Sequence, residues 1–248
     1  VRRRSPAAVV CAGAILLAGC AGAAGEHTGA DGRGQSPAHA SSDVRGPDRG
    51  GRDDLPPVVD HVRTRDRVVF LTYDDGAERD PGFVTLVRER RLPVSMFLTD
   101  SVVGPGYGHF ARLRAVGASI QNHTLDHPAL RGLPYAGQRA EICGQQHKLR
   151  SRFGIRPRLF RPPYGTYDTT TLRAAADCGI TAVVLWRASA NAEGELTYTR
   201  GRPGLRPGDI VSVPSGETAS PTLTERTERL LREIERRGLR VGRLEDYL

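Results

Sequence analysis

From residue 68 onward, short apolar runs alternate with amphipathic stretches, and this alternation limits the fold more than any other feature of the chain. Residues 68–72, 94–98, 118–121, 159–161, 181–186, 210–213 and 239–241 have the length and the Val, Ile, Leu and Phe content of strands. The stretches between them are punctuated as helices. Pro81 after Asp80 opens one over 81–91, and Gly154, Gly179 and Gly238 close others over 134–153, 168–178 and 220–237. Strands that alternate with helices predict a parallel sheet with right-handed crossovers, as an open doubly wound sheet or as a barrel. In both, ligands gather at the C-terminal ends of the strands.

The rest of the chain divides around this pattern. With 248 residues, 38% hydrophobic and 26% charged, it can build one sizeable core. Residues 1–20 read as a leader outside that core: Arg2, Arg3 and Arg4 precede an apolar stretch over 7–17 that is too short to span a bilayer. Leu17-Ala18-Gly19-Cys20 looks like a bacterial lipobox, which implies lipidation of Cys20 and anchoring on the outer face of a membrane; the alternative is an ordinary signal peptide with a chance cysteine. Residues 21–60 carry almost no large apolar side chain, so they read as a disordered tether that holds His27 and His39 as bystanders. The catalytic-size domain is expected over 61–248.

Charge and cysteine content narrow the partners. The net charge of +8 falls to +5 without the three leader arginines, and no dense basic block remains. An exported chain of this kind is not expected to bind nucleic acid, whereas attraction to an anionic cell wall is open to it. Only Lys148 among the 36 basic residues is lysine, a bias of GC-rich coding. With Cys11 in the leader and Cys20 lipidated, Cys143 and Cys178 remain, and an oxidising compartment favours a disulfide between them over two buried thiols.

Polar residues unsuited to a core follow three of the strands. Asp74 and Asp75 end the first, and alone they suit a turn as well as a site. His123 and His127 follow the third, four residues apart, where one ion can reach both; two solvated histidines are the bland reading. With a carboxylate they form a donor set suited to zinc, cobalt or nickel. Arg161, after the fourth, can fix a neighbouring carboxylate, and the Tyr164 N–H can face an oxyanion; otherwise the Pro-Pro-Tyr-Gly run merely ends a strand.

The ordered motifs Thr72-Tyr73-Asp74-Asp75-Gly76, Asn122-His123-Thr124-Leu125-Asp126-His127-Pro128 and Arg161-Pro162-Pro163-Tyr164-Gly165 resemble those of the polysaccharide deacetylase domain (NodB homology, carbohydrate esterase family four). The resemblance runs from Val68 to the C-terminus. It implies an α/β fold, a distorted (β/α)7 barrel, that binds zinc or a similar ion and acts on a polysaccharide such as peptidoglycan, chitooligosaccharide or acetylxylan; separately, the chain is expected to be a monomer. Asp74 would be the general base, Asp75, His123 and His127 the metal ligands, Arg161 the group that orients Asp74, and Tyr164 an oxyanion donor. Residues 107–110 and 188–203 would be rim loops that select substrate.

Two positions depart from that pattern. The Gly208-Asp209-Ile210-Val211-Ser212-Val213 run ends on Pro214 where the family has a general-acid histidine, and Ser189 stands near the position of the aspartate that supports it. Glu193 and Glu217 are the candidate substitutes; His109 and His147 are poorly placed for the role. A metal-dependent deacetylase and a carbohydrate-binding pseudoenzyme are therefore both open, while a purely structural metal site is disfavoured because three ligands leave a coordination position open.

Overall fold

The computed structural model describes residues 55–214 and 220–248. The leader, Cys20, most of the tether and Glu217 lie outside the described residues.

The sheet is built on β2 (Val68–Asp75), whose residues are buried almost throughout, as a central parallel strand covered on both faces must be. Alternation divides its side chains. Val69, Leu71 and Tyr73 pack outward with Phe83, Leu86 and Val87 of α1 (Pro81–Arg90) and Leu230, Leu231 and Ile234 of α6 (Leu223–Arg236). Val68 and Phe70 belong to the inner layer with Phe97, Leu159, Val184, Ile210 and Leu244. By the same period of two, Thr72 and Asp74 fall on the inner side.

Around β2 the strand order is β1 (Val58–Val59), β6 (Ala182–Val184), β5 (Leu159–Phe160), β4 (Ser119–Asn122), β3 (Ser95–Leu98), β2, β9 (Ile210–Val213), β7 (Ala188–Ala190) and β8 (Leu196–Tyr198), with β10 (Arg240–Val241) also on β2. Every pairing is parallel except the β7–β8 hairpin. The result is a mixed α/β half-barrel with helices outside, a distorted and incompletely closed barrel.

The helices begin and end where local chemistry directs. Asp80 caps α1 and Pro81 supplies its first turn; α4 (Tyr135–Phe153) ends on left-handed Gly154. Capping boxes open α5 (Thr169–Asp177), through Asp168 and Thr171, and α6, through Thr222 and Glu225. A disulfide joins Cys143 of α4 to Cys178 at the end of α5.

Four features differ from the reading of the sequence. The folded chain starts before residue 61: Val58 and Val59 pair with Val183 and Val184, and the tether assigned to 21–60 is too long at its C-terminal end. The adjoining residues 61–62 are seated by Gly208, where an added Cβ would lie 2.0 Å from the Val62 carbonyl. Residues 107–110 are not a rim loop but the start of α3 (Tyr107–Ala115), with His109 and Phe110 buried; Gly104, Pro105, Gly106 and Gly108 had obscured the helix. A further short helix, α2 (Asp100–Val103), follows β3. Within 188–203, β7 and β8 form a hairpin whose Ala-Ser-Ala strand carries no apolar run to announce it. No helix among the described residues is long and apolar enough to cross a membrane.

Candidate metal centre

The segments that follow β2, β4 and β5 meet at the C-terminal edge of the sheet, and each turns sharply there. Asp75 (φ 63), Thr124 (φ 75), His127 (φ 59) and Tyr164 (φ 59) are all left-handed, and among the described residues the remaining non-glycine example is the helix terminus Arg91. Side chains adopt this backbone only when surrounding structure requires it, so the strain is concentrated on one place.

There Asp75 Oδ1 lies 3.3 Å from His123 Nε2 and 3.2 Å from His127 Nε2, and the two nitrogens lie 3.2 Å apart. Asp75 Oδ1 is buried and no hydrogen bond satisfies it. A tetrahedron with metal–ligand bonds of about 2.0–2.1 Å has edges of about 3.3–3.4 Å. The three atoms thus approximate one face of such a shell, and they fit a divalent ion with one position left open. They also form the one Asp, Glu, His and Cys grouping with metal-like spacing found among the described residues.

The protonation states suit ligands. Burial pushes the Asp75 carboxyl up, but the opposing influence of His123, then of His127 and Arg161, prevails and holds it below the usual carboxylate range. Burial, reinforced by His123, lowers the His127 pKa and so favours the neutral ring with a free lone pair. His123 Nδ1–H donates to the Arg161 carbonyl at 2.7 Å, which points Nε2 at the cluster.

Backbone contacts hold the histidine loop. The His123 N–H donates to Leu98 O at 3.1 Å, and Thr99 Oγ1 donates to His123 O at 2.8 Å. Asn122, anchored on Ile142 O at 2.9 Å, accepts from the Thr124 N–H at 2.9 Å. Leu125, between the histidines, seats on α4 at Gly144, where an added Cβ would meet Leu125 Cδ1 at 2.3 Å.

Asp74 is oriented beside this cluster. Arg161 Nη1 donates to its Oδ1 at 2.6 Å, and Ser212 Oγ donates to its Oδ2 at 2.7 Å. Arg161 is fully buried; Nε donates to Val184 O at 3.2 Å and Nη2 to Leu185 O at 3.4 Å. Its guanidinium carbon lies 4.4 Å from the Phe97 ring centroid and 5.4 Å from that of Trp186. Tyr164 is 65% exposed, with its ring centroid 4.7 Å from that of His127.

The residues singled out from the sequence, Asp74, Asp75, His123, His127, Arg161 and Tyr164, therefore lie together. Ser212, Asn122, Phe97 and Trp186 were missed as supports. Ser212 had a signal, since it interrupts an otherwise apolar buried strand. On the departing side, Ser189 and Ser212 are register neighbours in β7 and β9, and the Pro214 carbonyl accepts from Arg226 Nη1 at 3.2 Å. Buried Arg226 also pairs with Glu78. Glu193 lines a separate cavity between the hairpin and α6, with Arg229 donating to its carbonyl. His109 is buried with neither ring nitrogen hydrogen-bonded, and it is not part of the ligand grouping.

Comparison with known proteins agrees with this arrangement. Residues 61–183 match the polysaccharide deacetylase family. The chain is 65% identical to an uncharacterized protein of Streptomyces coelicolor, over 98% of this chain and 96% of that one. It is 29% identical to a chitooligosaccharide deacetylase of Bradyrhizobium, over 71% of this chain and 88% of the relative. A CE4 family pseudoenzyme from Bacillus anthracis shares the fold, with a TM-score of 0.65 at 18% identity, over 77% of this chain and 69% of that one. The sheet, the motifs that converge at its C-terminal edge and the family match lead to one assignment: this chain carries a domain of the polysaccharide deacetylase family.

Proposed function

We propose that the domain is a divalent-metal-dependent hydrolase that removes acetyl groups from an acetylated cell-wall or extracellular polysaccharide, with N-acetylated sugars as the first candidates. The observation that carries this reading is the Asp75, His123 and His127 triangle beside an Asp74 held by Arg161. Zinc suits the donor set best, then cobalt or nickel. The ion, when bound, supplies Lewis acidity toward the acetyl carbonyl and acidifies a water.

The remaining work falls to side chains. Asp74 accepts a proton from the attacking water, and the Arg161 and Ser212 hydrogen bonds fix which way its carboxylate faces. The Tyr164 N–H, at the rim, is the candidate donor to the developing oxyanion. Protonation of the leaving amine lacks its usual residue, for Pro214 carries no proton to give.

That absence favours a second reading, a carbohydrate-binding pseudoenzyme. Loss of a general acid removes about 10²- to 10⁴-fold in rate, which leaves a slow enzyme as well as an inert one within reach. Acetate release from chitooligosaccharide, peptidoglycan and acetylxylan, with zinc and then with chelator, separates the two. Release that stops with chelator and in His123→Ala supports the hydrolase; binding of the same sugars without release supports the pseudoenzyme. We further propose that Cys20 is lipidated and holds the domain on the outer face of the membrane, in which case Cys20→Ser shifts the protein to the soluble fraction.

A further inference from the structure

A second concave site lies at the opposite edge of the sheet. The segments that lead into β5 and β6, with the outer side of α4, enclose a cavity of about 560 Å³ lined by Arg139, Arg150, Arg156, Arg158, His147 and the Cys143–Cys178 disulfide. Arg156 and Arg158 also border a neighbouring cavity of about 370 Å³ that includes Arg114 and Glu245. Arg156 and Arg158 line both cavities and so stand as the wall that the two lobes of this groove share.

All four lining arginines are exposed, and none makes an ion pair with the described residues. Two acids also line the groove: Asp177 accepts from the Tyr135 hydroxyl, and Glu245 Oε1 accepts from Ser95 at 2.9 Å and Gln121 at 3.0 Å while its Oε2 is buried without a hydrogen-bond partner, so the arginines outnumber the acids there. Compensation of a helix dipole accounts for Arg150, in the last turn of α4. It does not account for Arg139 early in that helix, or for Arg156 and Arg158 beyond it.

The shared wall is rigid. Gln146 Nε2 donates to Pro157 O at 2.8 Å and the Thr181 N–H to Arg158 O at 2.8 Å, so Arg156 and Arg158 project from a fixed backbone. Guanidinium groups match phosphate geometry bidentately, and a groove admits a chain where a bilayer presents a plane. We propose that this groove binds a linear polyanion that carries phosphate groups, with Arg156 and Arg158 as its central contacts. Because Arg158 precedes β5 and Arg161 follows it, a polymer held there leaves the metal centre facing away.

Long-chain inorganic polyphosphate is the probe, titrated into the full chain with chelator present so that no metal ion mediates binding. Arg156→Gln with Arg158→Gln should weaken binding at least about tenfold and reduce the slope of log affinity against log salt by about one to two. Arg131→Gln, whose Nε bonds Tyr167 O on the catalytic side, should stay within about twofold of wild type. Unchanged thermal unfolding of the double variant shows that the fold is kept. Wild-type affinity in the double variant overturns the proposal. So does equal binding of poly-glutamate at the same ionic strength, or binding to phosphatidylglycerol vesicles without binding to polyphosphate.

Discussion

Replacement of Arg161 by Met should destabilise the domain by about 3–5 kcal/mol, the usual result of breaking a buried ion pair from one side. Met keeps much of the length that packs between Phe97 and Trp186, so the loss is chiefly of the guanidinium. Three interactions disappear, those to Asp74 at 2.6 Å, Val184 O at 3.2 Å and Leu185 O at 3.4 Å. Asp74, 8% exposed, then keeps Ser212 without the guanidinium. In a domain of 150–250 residues each kcal/mol moves Tm by about 2–4 °C, so the midpoint should fall by about 6–20 °C. Asp74→Asn in the same chain removes the charge that Arg161 faced, and the double variant should recover about 1–2 kcal/mol relative to Arg161→Met. Urea unfolding with chelator present measures both. A loss under about 1 kcal/mol in Arg161→Met, or costs that add in the double variant, would refute the claim that the pair acts as one unit.

Three further outcomes can be checked. Burial raises the Asp168 pKa, but N–H donation from Gly132 and Thr171 outweighs it and holds the carboxyl at about 2; its contribution is present above about pH 4 and lost as pH falls toward 2. Asp168→Ala should therefore cost about 1–2 kcal/mol at pH 7, with the gap to wild type closing between pH 4 and 2 in denaturant titrations; a gap constant over that range contradicts it. Gly144→Ala should cost about 1–3 kcal/mol and shrink the zinc-induced rise in Tm, because Leu125 must move between the two histidines. An unaltered zinc response would mean that the loop does not depend on that seat. Pro214→His combined with Ser189→Asp should raise acetate release by about 10²-fold or more, and no gain would show that the missing acid is not what limits the site.

Local pattern carried much of the fold. The strand expected over 210–213 is β9, the helix expected over 134–153 is α4 within one residue, and both rest on apolar spacing and on glycine or proline punctuation. Asp75, His123 and His127 were legible as a candidate grouping because two imidazoles four apart near a strand end can face one ion, and a carboxylate completes the donor set. Pro214 is read as a departure on residue type alone, since a proline side chain has no proton to give.

Tertiary structure decided what depends on residues far apart in the chain. Ser212 reaches Asp74 across 138 positions, and no local rule ranks one buried serine above another. Val58 and Val59 become a strand because Val183 and Val184 present an edge, and Ala188 to Ala190 because β9 does. The left-handed turns at Asp75, Thr124, His127 and Tyr164 run against their own side chains' preferences, and packing against neighbouring strands and α4 compensates. Residue types thus pointed to the candidate metal ligands, while long-range pairing placed their atoms within reach of one ion and set around a groove at the other edge of the sheet four arginines that form no ion pair among the described residues.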